Sequence, residues 1–250
     1  MSSIGSGYDD SCSTFSPEGK VFQIDYATKA VENSATSVAI KCVDGVVFGV
    51  EKLIISKMIK ESSNKRIFYI GTHIAVTCAG FLPDARKLAK KASEEAEAFK
   101  DNYGMEIPVK TLAEKVAMHM QNYTLYSSLR PFGCSLLVGG YDHRGYSLHY
   151  IEPSGTTYGY MANGIGKGKQ ICKNELEKIN FSQITCKEAI AKIVKILDLC
   201  HGEWKDKPYV LDLCWVSDET KHVVKRVSQE QKEKILAEFG EKKMEEEVKN

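Results

Sequence analysis

Two amphipathic helices in direct succession, standing between runs of strand-like alternation, constrain this chain more than any other feature. Leu82, Ala85, Leu88, Ala89, Ala92, Ala96 and Phe99 recur at three and four residues, behind Pro83 and Asp84 and ahead of Gly104. After Pro108 the set Leu112, Ala113, Val116, Ala117, Met120 and Thr124 repeats the pattern. The spacing predicts two helices lying side by side, each with an apolar face to bury.

The flanking segments supply the surface for that burial. VAIKCVDGVVFGVE alternates on both sides of Asp44-Gly45, a two-residue hairpin signal, and RIFYIG with HIAVTCAG predicts a second strand pair. Beyond the helices, CSLLVGGY and YSLHYIE read as strands around a polar turn at Asp142 to Gly145, with TTYGY a short third. Helices are expected at about 168–179 and 186–200, the latter opened by the capping-box pattern Thr185-Cys186-Lys187-Glu188. YVLDLCWVS and HVVKRV then predict two further strands, and Ser228 to Gln231 a capping box before a charged terminal helix.

At the other end, Ser16-Pro17-Glu18 combines a capping hydroxyl with a proline suited to the first helical position, which predicts a helix over 18–32. Residues 1–15 are rich in Ser, Gly and Asp and predict a mobile arm rather than a packed element. Strand runs separated by helix pairs call for antiparallel sheets covered on their outer faces, not alternating parallel units. The expected class is α+β, a four-layer αββα sandwich. Its division is an arm at 1–17, one domain over 18–227 including the helix 18–32, and a charged helix and tail at 228–250.

Composition removes several functions. Lys and Arg total 34 against 33 Asp and Glu, so net charge gives no reason to expect a nucleic-acid or membrane partner. The start MSSIGSGYDD lacks an apolar signal core, which predicts a chain that stays inside the cell. Eight cysteines are scattered without a CxxC, as buried free thiols would be, and the six histidines include no HExxH. No metal or other cofactor is expected. Gly164-Ile165-Gly166-Lys167-Gly168-Lys169 precedes a helix but lacks P-loop spacing, so close backbone packing is its expected role.

A long ordered set of residues carries a family resemblance. Tyr8-Asp9, then TFSPEG from Thr14, then Gln23, Tyr26-Ala27 and Ala30-Val31 resemble the N-terminal signature of proteasome alpha subunits. Similar matches follow at DGVVFGVEK, CAGFLPDAR, RPFGCSL, IEPSG and IGKGK, so the likeness covers about residues 5–230. KAVENS, the triplet Asn64-Lys65-Arg66 and YTLYSSLRPFGCS resemble most the branch that takes the seventh position of the ring.

The resemblance implies the fold of the N-terminal nucleophile hydrolases, in which the first residue of the mature chain attacks a carbonyl and its own amino group serves as base. Aligned on that family, Ala35 stands where catalytic relatives carry threonine, and a methyl group cannot attack. Glu51 falls at the acidic partner's place. Arg66 replaces a lysine, and a guanidinium is a poor proton shuttle. A one-residue slip would put Ser34 or Thr36 in the slot, so an active threonine or serine hydrolase stays open as the alternative. Cleavage there would remove the helix 18–32.

What the resemblance implies instead is work by shape. It makes the chain a non-catalytic wall and gate element, joined to other alpha subunits in a hetero-heptameric ring and to beta subunits, and docking an ATPase regulatory particle or other activators, in cytoplasm and nucleus. Tyr8, Asp9, Pro17 and Tyr26 match the gate cluster, where phenols and a carboxylate exchange hydrogen bonds and rings pack on proline. Lys65 and Arg66 match the pocket cation that pairs with an incoming C-terminal carboxylate, with Gly80 leaving room for the tail.

Overall fold

A computed structural model describes residues 7–54, 56–60, 63–202, 208–234 and 237. Its elements run α1 (Phe22–Glu32), β1 (Ser37–Lys41), β2 (Gly45–Leu53), β3 (Ile67–Ile70), β4 (Ile74–Gly80), α2 (Leu82–Tyr103) and α3 (Val109–Asn122). They continue with β5 (Cys134–Asp142), β6 (Gly145–Ile151), β7 (Thr157–Gly159), β8 (Ala162–Ile165), α4 (Lys169–Leu176), α5 (Cys186–His201), β9 (Tyr209–Ser217) and β10 (Lys225–Arg226).

The strands form two five-stranded sheets, β10-β9-β2-β1-β8 and β3-β4-β5-β6-β7, and every pairing is antiparallel. Three apolar clusters hold four layers together. Leu88, Ala92, Leu112 and Val116 of α2 and α3 pack on Ile74, Val76, Leu136 and Val138 of the second sheet. Ile190, Ile193 and Leu197 of α5, with Cys172 of α4, cover Val38, Ile40, Val47 and Trp215 of the first. Between the sheets lie Ala39, Phe48 and Val50 against Ala75, Leu137 and Leu148, and Val31 of α1 joins this cluster. Phe48 is wholly buried, a side chain whose transfer from water contributes about 1.5–3 kcal/mol. The αββα sandwich expected from the element order is the fold observed.

Several local expectations shift. The first helix starts at Phe22, not residue 18, and Pro17 lies outside it. Gly19 N–H donates to Ser16 O, Ser16 N–H to Lys20 O, and Gly19 has φ +75°, so 17–19 form a tight three-residue loop. Ser16 Oγ accepts from Lys20 N–H, which caps that loop and not the helix.

The first hairpin turns one residue earlier than its sequence suggests. Lys41 pairs with Val46, and Cys42 N–H donates to Gly45 O, which leaves Val43-Asp44 as the loop. Gly45 is a strand residue whose missing Cβ makes room: one built there would stand 2.3 Å from Val216 O and 2.6 Å from Cys186 Sγ. Its glycine answers to packing, not to turn geometry.

The strand β8 is an addition to the expected set, because Ala-Asn-Gly-Ile carries little strand preference. It forms because β1 offers it an edge, with Ser37 opposite Ile165. HVVKRV shrinks to the two residues of β10, since Lys221 and His222 take positive φ in a turn and Val224 N–H donates across to Thr72 O.

The arm touches the domain at Cys12. Cys12 is buried, and its Sγ lies 2.9 Å from Tyr126 O and 3.2 Å from Leu129 O, so this part of the arm packs on the segment after α3. Ser228 and Gln231 exchange both capping-box hydrogen bonds at the head of helical residues 229–234. Most of the 228–250 segment lies outside the described residues, as do residues 1–6 of the arm.

Candidate functional site

The aligned nucleophile position carries no free nucleophile. Ala35 is buried between the end of α1 and the start of β1. Ser34 Oγ donates to Val31 O at 2.7 Å, in the manner of a helix end, and Ser34 O accepts from Lys167 N–H. Thr36 is 1 % exposed, and its Oγ1 accepts from Gly168 N–H at 3.1 Å. Both hydroxyls of the one-residue slip are engaged by the chain's own backbone, and in the uncut chain none of the three residues has a free amino group to act as base.

The acidic partner has taken other work. Glu51 has no exposed surface, and its Oε1 lies 2.7 Å from His201 Nδ1 at the end of α5. His201 stacks on Tyr209 with centroids 3.8 Å apart, and the Tyr209 hydroxyl donates to Asp198. Burial and that bond push the Tyr209 phenol up to about 12. Beside it, Lys52 is buried and paired with Asp212, which also accepts from Arg226 Nε at 2.7 Å. The would-be catalytic carboxylate is therefore committed within the chain.

The IGKGK run is the floor of this region. A Cβ on Gly164 would stand 2.3 Å from Cys172 Cβ, and one on Gly168 2.5 Å from Cys200 Sγ. Close backbone packing explains both glycines, as their sequence setting suggests.

Beside this position lies an open cleft of about 720 Å³, lined among others by Ser34, Ala35, Lys52, Arg66, Leu82 and Arg86. Arg66 Nε and Nη1 are buried and have no hydrogen-bond partner among the described residues. Two donors of a permanent cation left so are expensive unless an anion arrives. Lys65, one residue earlier, is exposed and lines an adjoining cleft of about 500 Å³ with Lys90 and Asp212, which shares Lys52 and Arg86 with the first. Gly80 stands at the end of β4, near Arg66 through the Cys78 N–H to Arg66 O bond. Its glycine is accounted for by φ +114° and a built Cβ 2.3 Å from Gly133 O, without reference to an incoming tail.

Of the gate candidates, the fold brings two together. Asp9 is reached from α1 by the Tyr26 hydroxyl at 3.5 Å, and its carbonyl by the Gln23 side-chain amide. Tyr26 stacks on Phe22 at 6.4 Å and remains 45 % exposed, Tyr8 40 %. Among the described residues no hydrogen bond joins Tyr8 or Pro17 to this pair within the chain. Sequence reasoning missed Gln23 as a holder of the arm, although it stands in the signature one turn before Tyr26. It also missed Cys12, whose isolated thiol gave no signal.

Comparison with known proteins bears directly on these surfaces. The "Proteasome subunit" pattern matches residues 31–216. The chain belongs to the proteasome subunit family. A second pattern, the N-terminal signature of alpha-type proteasome subunits, matches residues 8–30 and makes it an alpha-type member. The alpha type-3 proteasome subunit of Dictyostelium discoideum is 53 % identical over 230 residues, covering 92 % of this chain and 93 % of that one. Its counterpart in Arabidopsis thaliana is 50 % identical over 227 residues, 91 % of each chain. The probable alpha type-7 proteasome subunit of Saccharomyces cerevisiae is 44 % identical over 220 residues, 87 % of this chain and 76 % of that one. As an alpha-type proteasome subunit the chain is a non-catalytic structural piece of the outer ring. Ala35 carries no nucleophile and Glu51 is held by His201, which agrees with that role.

Proposed function

We propose that this subunit gates substrate entry and docks regulatory particles at the seventh position of a hetero-heptameric alpha ring stacked on catalytic beta rings. It would serve ubiquitin-dependent and ubiquitin-independent protein degradation in cytoplasm and nucleus. In this reading residues 1–17 are the gate arm, 18–227 the ring-forming domain and 228–250 a charged C-terminal segment.

The contact of Asp9 with Tyr26 and Gln23 carries the reading, because it ties the arm to the helix across which it runs. Tyr8 and Pro17 remain exposed beside it, free to meet neighbouring arms. Support for docking comes from Arg66, whose buried donors have no partner among the described residues and which lines a cleft of about 720 Å³. Lys65, facing a different cleft, takes a secondary part, and Gly80 shapes the strand end.

Deletion of residues 2–12 in the assembled particle tests the gate. Basal peptide hydrolysis should rise while cleavage preference stays the same, since the cutting residues lie elsewhere. Unchanged hydrolysis would show that this arm does not obstruct the pore. Native mass of the particle tests assembly: a ring of this chain alone, without beta subunits, would contradict the proposal.

A further inference from the structure

No pair of cysteines in this sequence has metal-binding spacing, yet the fold joins two that stand 144 positions apart by their numbers, Cys42 and Cys186. Cys42 ends the first arm of the β1–β2 hairpin, Asp44 sits in its loop, and Cys186 is the first residue of α5. Their two sulfurs and a carboxylate oxygen of Asp44 all lie within 4.8 Å of one another. Among the described residues this is the only group of three such donors.

We propose that Cys42, Asp44 and Cys186 form a site for a zinc-class divalent cation, with two thiolates, one carboxylate and a water as its four ligands.

The donor set is one that zinc takes, and tetrahedral bonds of about 2.0–2.3 Å place ligand atoms about 3.6–3.8 Å apart. The atoms present need close by only about 1 Å to reach that spacing. The Cys172–Cys200 pair, with sulfurs 3.5 Å apart, has no third donor among the described residues and makes a poorer site.

The surroundings are built to hold these groups. Cys186 N–H donates to Asp44 Oδ1 at 2.8 Å, fixing the carboxylate, and Asp218 N–H donates to Asp44 O at 3.1 Å. Val43 N–H donates to Ile184 O, which ties the hairpin loop to the chain just before α5. Thr185 and Glu188 complete the capping box that sets the position of Cys186. Such partners orient metal ligands and hold them in place.

Gly45 belongs to the same design. A Cβ there would stand 2.6 Å from Cys186 Sγ, so any side chain would displace the sulfur. Cys42 and Cys186 are buried, while Asp44 is half-buried and Val43 exposed, leaving the loop side open to an ion and its water. Binding replaces two thiol protons, which pass to solvent, and involves no change of oxidation state. The cation would staple the hairpin to α5 and stabilise only the folded chain.

Cobalt(II) titration of the reduced, chelator-stripped full-length chain tests the site. One equivalent should raise a thiolate-to-cobalt charge-transfer band with the visible bands of tetrahedral cobalt, and zinc should abolish both. Cys42→Ser should lose the signal and Cys172→Ser keep it. Asp44→Asn, which retains an oxygen for Cys186 N–H, should weaken binding by about tenfold or more. No band in the natural chain, a band surviving in Cys42→Ser, or equal loss in Cys172→Ser would overturn the site. Should Cys42→Ser fail to fold, the Asp44→Asn titration decides, and an unchanged affinity there contradicts the proposal.

Discussion

Glu51 Oε1 meets His201 Nδ1 at 2.7 Å, which joins the end of β2 to the end of α5 through a carboxylate with no surface of its own. At the position aligned with a catalytic acid, this chain keeps the carboxylate and uses it as a strut. Truncating the partner should therefore cost far more than an exposed substitution would. His201→Ala strands a buried carboxylate and is expected to lower folding stability by about 3 kcal/mol, with Glu51→Gln costing less because it neutralises the group. Denaturant unfolding of both variants measures this; equal, small losses would show that the contact is incidental.

Asp84 and Arg130 make a second cross-link, with paired bonds of 2.6 and 2.8 Å between α2 and the approach to β5. Burial alone would raise the Asp84 carboxyl, but the Arg130 guanidinium and the Gly133 N–H at 3.0 Å outweigh it and hold the group below its ordinary range. A carboxyl lowered on folding contributes stability that is present above its unfolded value and is lost as pH falls through the folded one. The stability gap between the natural chain and Asp84→Asn should thus be widest at neutral pH and shrink on acidification below about pH 4. A gap that is constant with pH would contradict the ion pair.

Gly168→Ala is expected to destabilise the chain by about 1–3 kcal/mol, because the added methyl meets Cys200 Sγ at 2.5 Å and its Cβ at 2.7 Å. Shrinking the sulfur should relieve that overlap, so Cys200→Ala ought to recover part of the loss in the double variant. A double-mutant cycle on unfolding free energies reads the coupling directly. Additive effects would mean that the segment before α4 moves aside instead.

The layers of the fold were legible because each helix announces one apolar face and each strand pair its alternation, and those patterns survive assembly. Less visible were features decided by contacts across the chain. Pro17 looks like a first helical residue, yet the hydrogen bonds of Gly19 and Ser16 turn it into a loop. Asp44-Gly45 looks like a turn, yet Gly45 is required by Val216 and Cys186 far along the sequence. The strand β8 depends on the edge that β1 offers, which no propensity encodes.

The site shows the same division. Ala35 could be read from alignment with the family, and so could the presence of Glu51. That Glu51 is bound to His201, that Arg66 faces one cleft and Lys65 another, and that Cys12 anchors the arm all rest on pairings between distant residues. Such pairings leave no periodic trace.

The central claim is that this alpha-type chain works uncut and without a nucleophile of its own. Intact mass and N-terminal sequence of the chain taken from the purified proteasome particle test it most directly. The account predicts a chain beginning at or near Met1, with α1 and the arm retained. A mature chain beginning at Ser34 or Thr36 would contradict it.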